Sequence, residues 1–305
     1  MLETIDDASV KQQIIDFLQD VSISITPDAA ERFSDFRKYV KPETSVFIGL
    51  LPGGDYREVV KTSAMLHKQG FRVVPHFTAR NIPNQSTLED YLNSVCETAA
   101  VDEVLVLAGD VATPVGEYHC SMQLLETGLF DKYGIKRIGV AGHPEGSPDI
   151  GVEELNRALA QKNAFASQTN AEMYILTQFC FDAADIIAWE KQINAAGNRL
   201  PICAGIAGPM ELGALLRIAT KCKIGDSIRM MARLAGGLAK SKTMQTSDQI
   251  IAGLASHRAR TPETKIQRAH VFTFGNLSNA TRWIYSMADG EFSLNDNAQN
   301  GDLFL

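Results

Sequence analysis

The sequence contains no CxxC pair, no GxGxxG turn, no HxH or HExxH pattern and no apolar run long enough to cross a bilayer. Each gap removes a class of protein: a zinc ribbon or zincin, a dinucleotide-binding doubly wound sheet, an integral membrane protein. The five cysteines, Cys96, Cys120, Cys180, Cys203 and Cys222, are odd in number and widely spaced. That usage fits reduced, buried thiols better than a disulfide framework, and Cys180, set between two phenylalanines, reads as an inert one. Cations are also short, with 29 Lys and Arg against 36 Asp and Glu and a formal charge of -7. A sequence-independent grip on nucleic acid needs a basic surface, so a small-molecule partner is expected instead. The start, Met1-Leu2-Glu3-Thr4-Ile5-Asp6-Asp7, is acidic where a secretory leader would be basic. The expected setting is the cytoplasm, with no membrane contact.

What the chain does have is a series of short apolar, β-branched runs. They fall at Val21 to Ile25, Ser45 to Leu50, Phe71 to His76, Glu103 to Ala108, Arg137 to Ala141, Met173 to Gln178, Leu200 to Gly205 and Ala269 to Phe274, with helical patterns between them. Strands alternating with helices in this number and order predict an α/β fold, a (β/α)8 TIM barrel. Asp55 to Gln69 places Val59, Val60, Ala64, Met65 and Leu66 on one helical face and stops at Gly70. Ser86-Thr87-Leu88-Glu89 has the form of a capping box, with Leu88, Tyr91, Leu92 and Val95 turned inward behind it, and Gly134 closes the next helix. Ser9 to Leu18 predicts a helix over the barrel bottom. The seventh and eighth runs are about sixty residues apart, more than a βα unit needs, so extra helices between Glu211 and Arg258 are expected, with Met230-Met231 in the packing of one. No linker divides residues 1–305, and a single barrel domain with a short tail from Asn295 to Leu305 is expected. The tail is either disordered or packed on a neighbour, which leaves a homo-oligomer open.

Polar residues that end buried parallel strands gather at one mouth of such a barrel. Here they are Ser24 and Thr26, Asp55, His76 with Thr78 and Arg80, Asp110, His143 with Glu145, Gln178 with Asp182, and Asn276. Acids, amides, imidazoles and one guanidinium together suit a polar heterocycle with an anionic tail, and no metal cage is indicated. Asp110 has two roles open to it, capping the following helix or facing a ligand. His76 is open to a structural role, whereas the Gln178 amide at the end of an apolar strand needs partners for both its ends.

Five of these segments resemble the successive motifs of the methylenetetrahydrofolate reductase family: Val74-Pro75-His76-Phe77-Thr78, Leu107-Ala108-Gly109-Asp110, Val140 to Asp149, Leu176 to Asp182, and Pro201 to Ile206. The resemblance runs from about Val21 to Trp283. It implies a (β/α)8 oxidoreductase of one-carbon metabolism that interconverts 5,10-methylene- and 5-methyltetrahydrofolate, with FAD at the barrel mouth and NAD(P)H as reductant. By the same resemblance Asp110 and Gln178 bind the pterin and Phe181 helps to enclose it. Asp110 would also tune the flavin. His76, Thr78, Arg80 and His143 become cofactor-binding residues, and Asp110 and Glu145 catalytic ones.

Some positions depart from the family. Its first strand reads Ser-Phe-Glu-Phe-Phe-Pro-Pro, and Ser24 falls where the acidic proton donor is expected. A hydroxyl is no comparable donor at neutral pH, so Asp28, Glu145 or a water would replace it. The family's Arg-Gly-Asp is Ala108-Gly109-Asp110, its Tyr-Pro-Glu is His143-Pro144-Glu145, its His-Pro-Glu is Ser147-Pro148-Asp149, and its Leu-Asn-Arg is Phe274-Gly275-Asn276. These changes fall on flavin contacts more than on pterin contacts. They open a second expectation, a flavin-free tetrahydrofolate enzyme that takes hydride directly from NAD(P)H or transfers a methyl group, and a third, a non-catalytic folate or flavin binder.

Overall fold

The computed structural model describes residues 7–221, 244–294 and 303–304. Eight parallel strands close into a barrel: β1 (Ser22–Ile25), β2 (Val46–Ile48), β3 (Val73–Thr78), β4 (Glu103–Leu107), β5 (Arg137–Gly142), β6 (Glu172–Cys180), β7 (Ile202–Ala207) and β8 (Ile266–Phe272). The order around the barrel is β1-β8-β7-β6-β5-β4-β3-β2. Helices α1 (Asp7–Phe17), α2 (Tyr56–Lys68), α3 (Gln85–Ala99), α4 (Ser121–Leu125), α5 (Val152–Phe165), α6 (Ala183–Ala195), α7 (Leu212–Lys221), α8 (Asp248–Arg260) and α9 (Leu277–Ala288) alternate with the strands or extend the connections. This is the (β/α)8 architecture that the apolar runs predict.

All the strands but β1 end one or two residues away from the sequence expectation. β6 runs on to Cys180, whereas β8 stops at Phe272 rather than Phe274. Phe274 at φ +47° and Gly275 at φ +82° are left-handed, a conformation that cannot continue a strand.

The contacts group into two compact units. The first comprises Ser22–Gly142 and Ala158–Leu176. Here α2 buries Val59, Thr62, Ser63 and Leu66, so small hydroxyl residues complete a face expected to be wholly aliphatic. Ser63 is accommodated because its Oγ donates to the Val59 carbonyl at 2.7 Å, one turn back. α3 begins one residue ahead of the expected capping box. Asn84 is its cap, with Oδ1 accepting from Thr87 N at 2.9 Å, while Leu88, Tyr91, Leu92 and Val95 are buried as predicted. Tyr91 stacks on Phe77 of β3 with ring centroids 4.1 Å apart. Since side chains alternate along a strand, Phe77 on the helix side puts His76 and Thr78 on the opposite, inner face.

The second unit comprises Met1–Val21, His143–Arg157 and Thr177–Leu305. α1, expected over the barrel bottom, packs chiefly on α8 and α9 and also touches β8. Arg258 Nη1 donates to the Asp16 carbonyl at 3.1 Å, and Lys11 Nζ to that of Phe292 at 3.1 Å. A buried carboxylate, Glu190 on α6, ties three elements together. It lies 3.1 Å from His257 Nε2 on α8 and accepts from Thr264 Oγ1 at 2.7 Å and from the backbone N–H of Lys265, just ahead of β8. Between β7 and β8, Met210–Glu211 and Met244–Gln245 form a two-stranded antiparallel ribbon flanking α7. Cys222, Met230 and Met231 lie outside the described residues. Of the expected tail, Leu303–Phe304 pairs with Ser293–Leu294 of the same chain. No described helix is long and apolar enough to cross a membrane.

Candidate functional site

In the first unit the inner face of β3 carries two buried polar atoms, His76 Nε2 and Thr78 Oγ1, with no hydrogen-bond partner among the described residues. His76 stands edge-on to Phe47 of β2, its ring centroid 6.3 Å away, and burial pushes its pKa down to about 4. It is therefore a neutral imidazole at physiological pH, able to offer a single donor and a single acceptor. β4 pairs with β3 in the register His76 to Leu105 and Thr78 to Leu107, which brings the β4 exit loop over Thr78. Gly109 makes that passage at φ +90°, and a Cβ on it would lie 3.1 Å from Thr78 Cβ. Only glycine adopts this turn without strain.

Asp110 follows, exposed, and makes no hydrogen bond or ion pair among the described residues. The next helix does not begin until Ser121. The capping role open to it in the sequence is therefore not the one it has. Two other acids of the expected mouth are the caps: Asp55 accepts from Arg57 N at 2.9 Å and Asp182 from Ala184 N at 2.8 Å. Arg80, expected to face an anionic cofactor, instead donates from Nε to the His119 carbonyl at 3.0 Å and from Nη1 to that of Val111 at 3.1 Å.

Two buried charged groups of this unit have no sequence signal. Lys162 on α5 is 6% exposed, donates from Nζ to the Ala141 carbonyl of β5 at 3.1 Å, and is lowered by burial to a pKa of about 8. Glu103, fully buried at the start of β4, pairs with Arg137 at 3.3 Å, and that guanidinium also lies over the Tyr174 ring. This pair sits at the amino ends of its strands, so its work is structural.

In the second unit, His143 and Glu145 occupy a tight turn closed by Gly146 N donating to the His143 carbonyl at 3.1 Å, with Gly146 at φ +72°. Both side chains are half-buried. Beside Glu145 lies Cys180, whose thiol is held well above its ordinary pKa by burial first and by the Glu145 and Asp185 carboxylates after that. It stays a protonated thiol, as its sequence setting predicts. Gln178 of β6 has its Oε1 buried without a partner among the described residues, so the amide that had to find partners lacks one there for its carbonyl. Phe181 belongs to an aromatic group at the ends of β6 and β8. Phe179 lies 5.6 Å from Phe181 and 5.1 Å from Phe274, and Phe272 stacks on Phe274 at 5.8 Å. Asn276 braces a turn, donating from Nδ2 to the Pro209 carbonyl at 3.2 Å. Among the described residues no cluster of His, Cys, Asp and Glu has the form of a metal site.

Comparison with known proteins adds to this geometry. A family model described as methylenetetrahydrofolate reductase matches residues 34–289. Methylenetetrahydrofolate reductase 2 of Saccharomyces cerevisiae is 30% identical over 176 residues, 54% of this chain and 28% of that protein. Methylenetetrahydrofolate reductase 1 of Schizosaccharomyces pombe is 40% identical over 70 residues, 23% of this chain and 11% of that one. The matches thus span well under two thirds of either relative. Among solved structures, an uncharacterized Clostridium thermocellum protein that binds two copies of 5-methyl-5,6,7,8-tetrahydrofolic acid shares the fold, with a TM-score of 0.57 at 10% identity over 90% of this chain and 99% of that one.

Proposed function

Because this chain belongs to the methylenetetrahydrofolate reductase family, we propose that it works in folate-dependent one-carbon metabolism, interconverting 5,10-methylene- and 5-methyltetrahydrofolate with NAD(P)H as the reductant. In the reductive direction a hydride adds to the methylene carbon, the bond from that carbon to N10 breaks, and N10 takes up a proton while NAD(P)H becomes NAD(P)+. The protein has to hold the pterin, supply the proton and keep the reacting carbon away from water.

Asp110 is the proposed pterin contact on the first unit. A pterin presents an N–H and an exocyclic amine side by side, and a carboxylate accepts from both. The observation that carries this reading is the state of Asp110: a carboxylate just past the end of a barrel strand, capping no helix and without a partner among the described residues. Gln178, whose buried carbonyl oxygen has no partner among the described residues, is the proposed pterin contact on the second unit, with Phe181 as its apolar neighbour. With Ser24 at the position of the usual acid, Glu145 is the proposed proton donor to N10.

FAD, implied by the resemblance, is a poor match to the described residues. Its pyrophosphate calls for guanidinium or ammonium donors. Among the described residues, Arg80 commits Nε and Nη1 to loop carbonyls, and Ala108 stands where the family motif has an arginine. The proposal therefore routes no step through a flavin and takes hydride directly from the nicotinamide.

Calorimetric titration with 5-methyltetrahydrofolate tests the binding, and oxidation of NAD(P)H that depends on 5,10-methylenetetrahydrofolate tests the reaction. Asp110→Ala and Gln178→Ala should each cost about 1.5–3 kcal/mol of binding, about 10- to 100-fold in Kd. Unchanged affinity in both would refute the assignment. A visible spectrum with flavin bands after purification would overturn the direct hydride route.

A further inference from the structure

The loop from Ala108 to Cys120 contains no helix or strand, yet it carries Asp110. A segment of this length holds a side chain in place only if something else orders it, because each free residue must give up backbone entropy. One residue reaches it at four points. Arg80 N donates to the Ala108 carbonyl at 2.9 Å, and Arg80 O accepts from Val115 N at 3.0 Å. Its guanidinium adds the bonds to Val111 and His119, from two edges of one planar fork. The following part of the loop is pressed against the same turn. Glu117 N donates to the Pro83 carbonyl at 2.9 Å, and a Cβ on Gly116 would lie 1.9 Å from that oxygen.

We infer that Arg80 is the positioning residue for Asp110, acting through the Val111 carbonyl one peptide along, rather than a ligand for an anionic cofactor. Asp110 has no partner among the described residues to orient it, so its direction is set by the backbone on either side. Arg80 fixes that backbone at Ala108 before it and at Val111 after it. A lysine would not substitute, since a point-like ammonium lacks the planar fork that meets Val111 and His119 together. The proposal rests on the folate reading only for its ligand assay.

The test is a double-mutant cycle with 5-methyltetrahydrofolate as the probe, comparing the intact protein with Arg80→Lys, Arg80→Ala, Asp110→Asn and the Arg80→Ala/Asp110→Asn pair, alongside amide hydrogen exchange. Each single change is expected to weaken binding about tenfold or more, with the pair no weaker than Asp110→Asn alone, because Arg80 would act only through Asp110. Amides from Val111 to His119 should exchange faster in both Arg80 variants, and guanidinium ion should restore binding to Arg80→Ala but not to the pair. Losses that multiply in the pair would make Arg80 a direct ligand and overturn the inference, as would unchanged exchange across the loop. If the intact protein binds no 5-methyltetrahydrofolate, the folate reading fails, while the exchange data still decide whether Arg80 holds the loop. Should Arg80→Ala fail to fold, Arg80→Lys carries both measurements.

Discussion

Acid should unfold this protein earlier than its carboxylates alone require, because β3 holds His76 as a buried neutral imidazole. In the unfolded chain His76 titrates near its ordinary value of 6.5, whereas in the folded protein burial lowers it to about 4. Between those values the unfolded state binds more protons, so stability rises with pH. The stability that depends on a neutral His76 is complete above about pH 6.5 and is lost as the pH falls toward 4. The gap of about 2.5, at about 1.36 kcal/mol per pH unit, makes the whole loss about 3 kcal/mol. By pH 4.5 most of it, about 2–3 kcal/mol, should be gone. Urea unfolding of the intact protein and of His76→Gln, measured from pH 7 down to 4.5, isolates this contribution, since the amide does not titrate. The intact protein should lose about 2–3 kcal/mol more than the variant over that range. Parallel stability curves would refute the reasoning, and so would an imidazole resonance of His76 that titrates above pH 6.

The Glu190 network should be sensitive to the loss of its acceptor. Glu190→Ala leaves His257, Thr264 and the Lys265 N–H without their common partner and should cost about 3–5 kcal/mol in urea unfolding, whereas Glu190→Gln, which keeps an acceptor oxygen, should cost much less. A cost of Glu190→Ala below about 1 kcal/mol would exclude the network as a tie between α6, α8 and β8. Lys162 works in the opposite direction. Its pKa falls from 10.5 to about 8 on folding, so the unfolded state binds more protons between those values, and the penalty of burying the ammonium is complete below about pH 8 and absent above about 10.5. Lys162→Met should therefore stabilise the protein by about 1–3 kcal/mol at pH 7 and flatten its rise in stability toward pH 10. A destabilised Lys162→Met would mean that the hydrogen bond to Ala141 outweighs the burial cost.

Local pattern was enough to place all eight barrel strands, the helix from Asp55 to Gln69 and the inward face of α3. Those features depend on periodicity over a few residues, and side chains at fixed spacing share a face whatever the rest of the chain does. The motif resemblance likewise reached the family. The acids of the mouth could not be sorted this way. Asp55 and Asp182 cap helices because a helix starts at the very next residue, while Asp110 caps nothing because its loop detours back over Arg80 and Pro83 first. Arg80 itself looked like an anion-binding cation, since its charge is visible in the sequence but the carbonyls of Val111 and His119, 31 and 39 residues away, are not. The same distance hid Glu190, whose partners lie 67 to 75 residues further on, and the burial of Lys162. The sequence by itself determined the alternation of strands and helices, because that is a short-range matter of pattern. Only the tertiary structure decided which polar groups are paired, which are buried and which are left open, because hydrogen bonding and desolvation are fixed by whichever distant segments the barrel brings alongside.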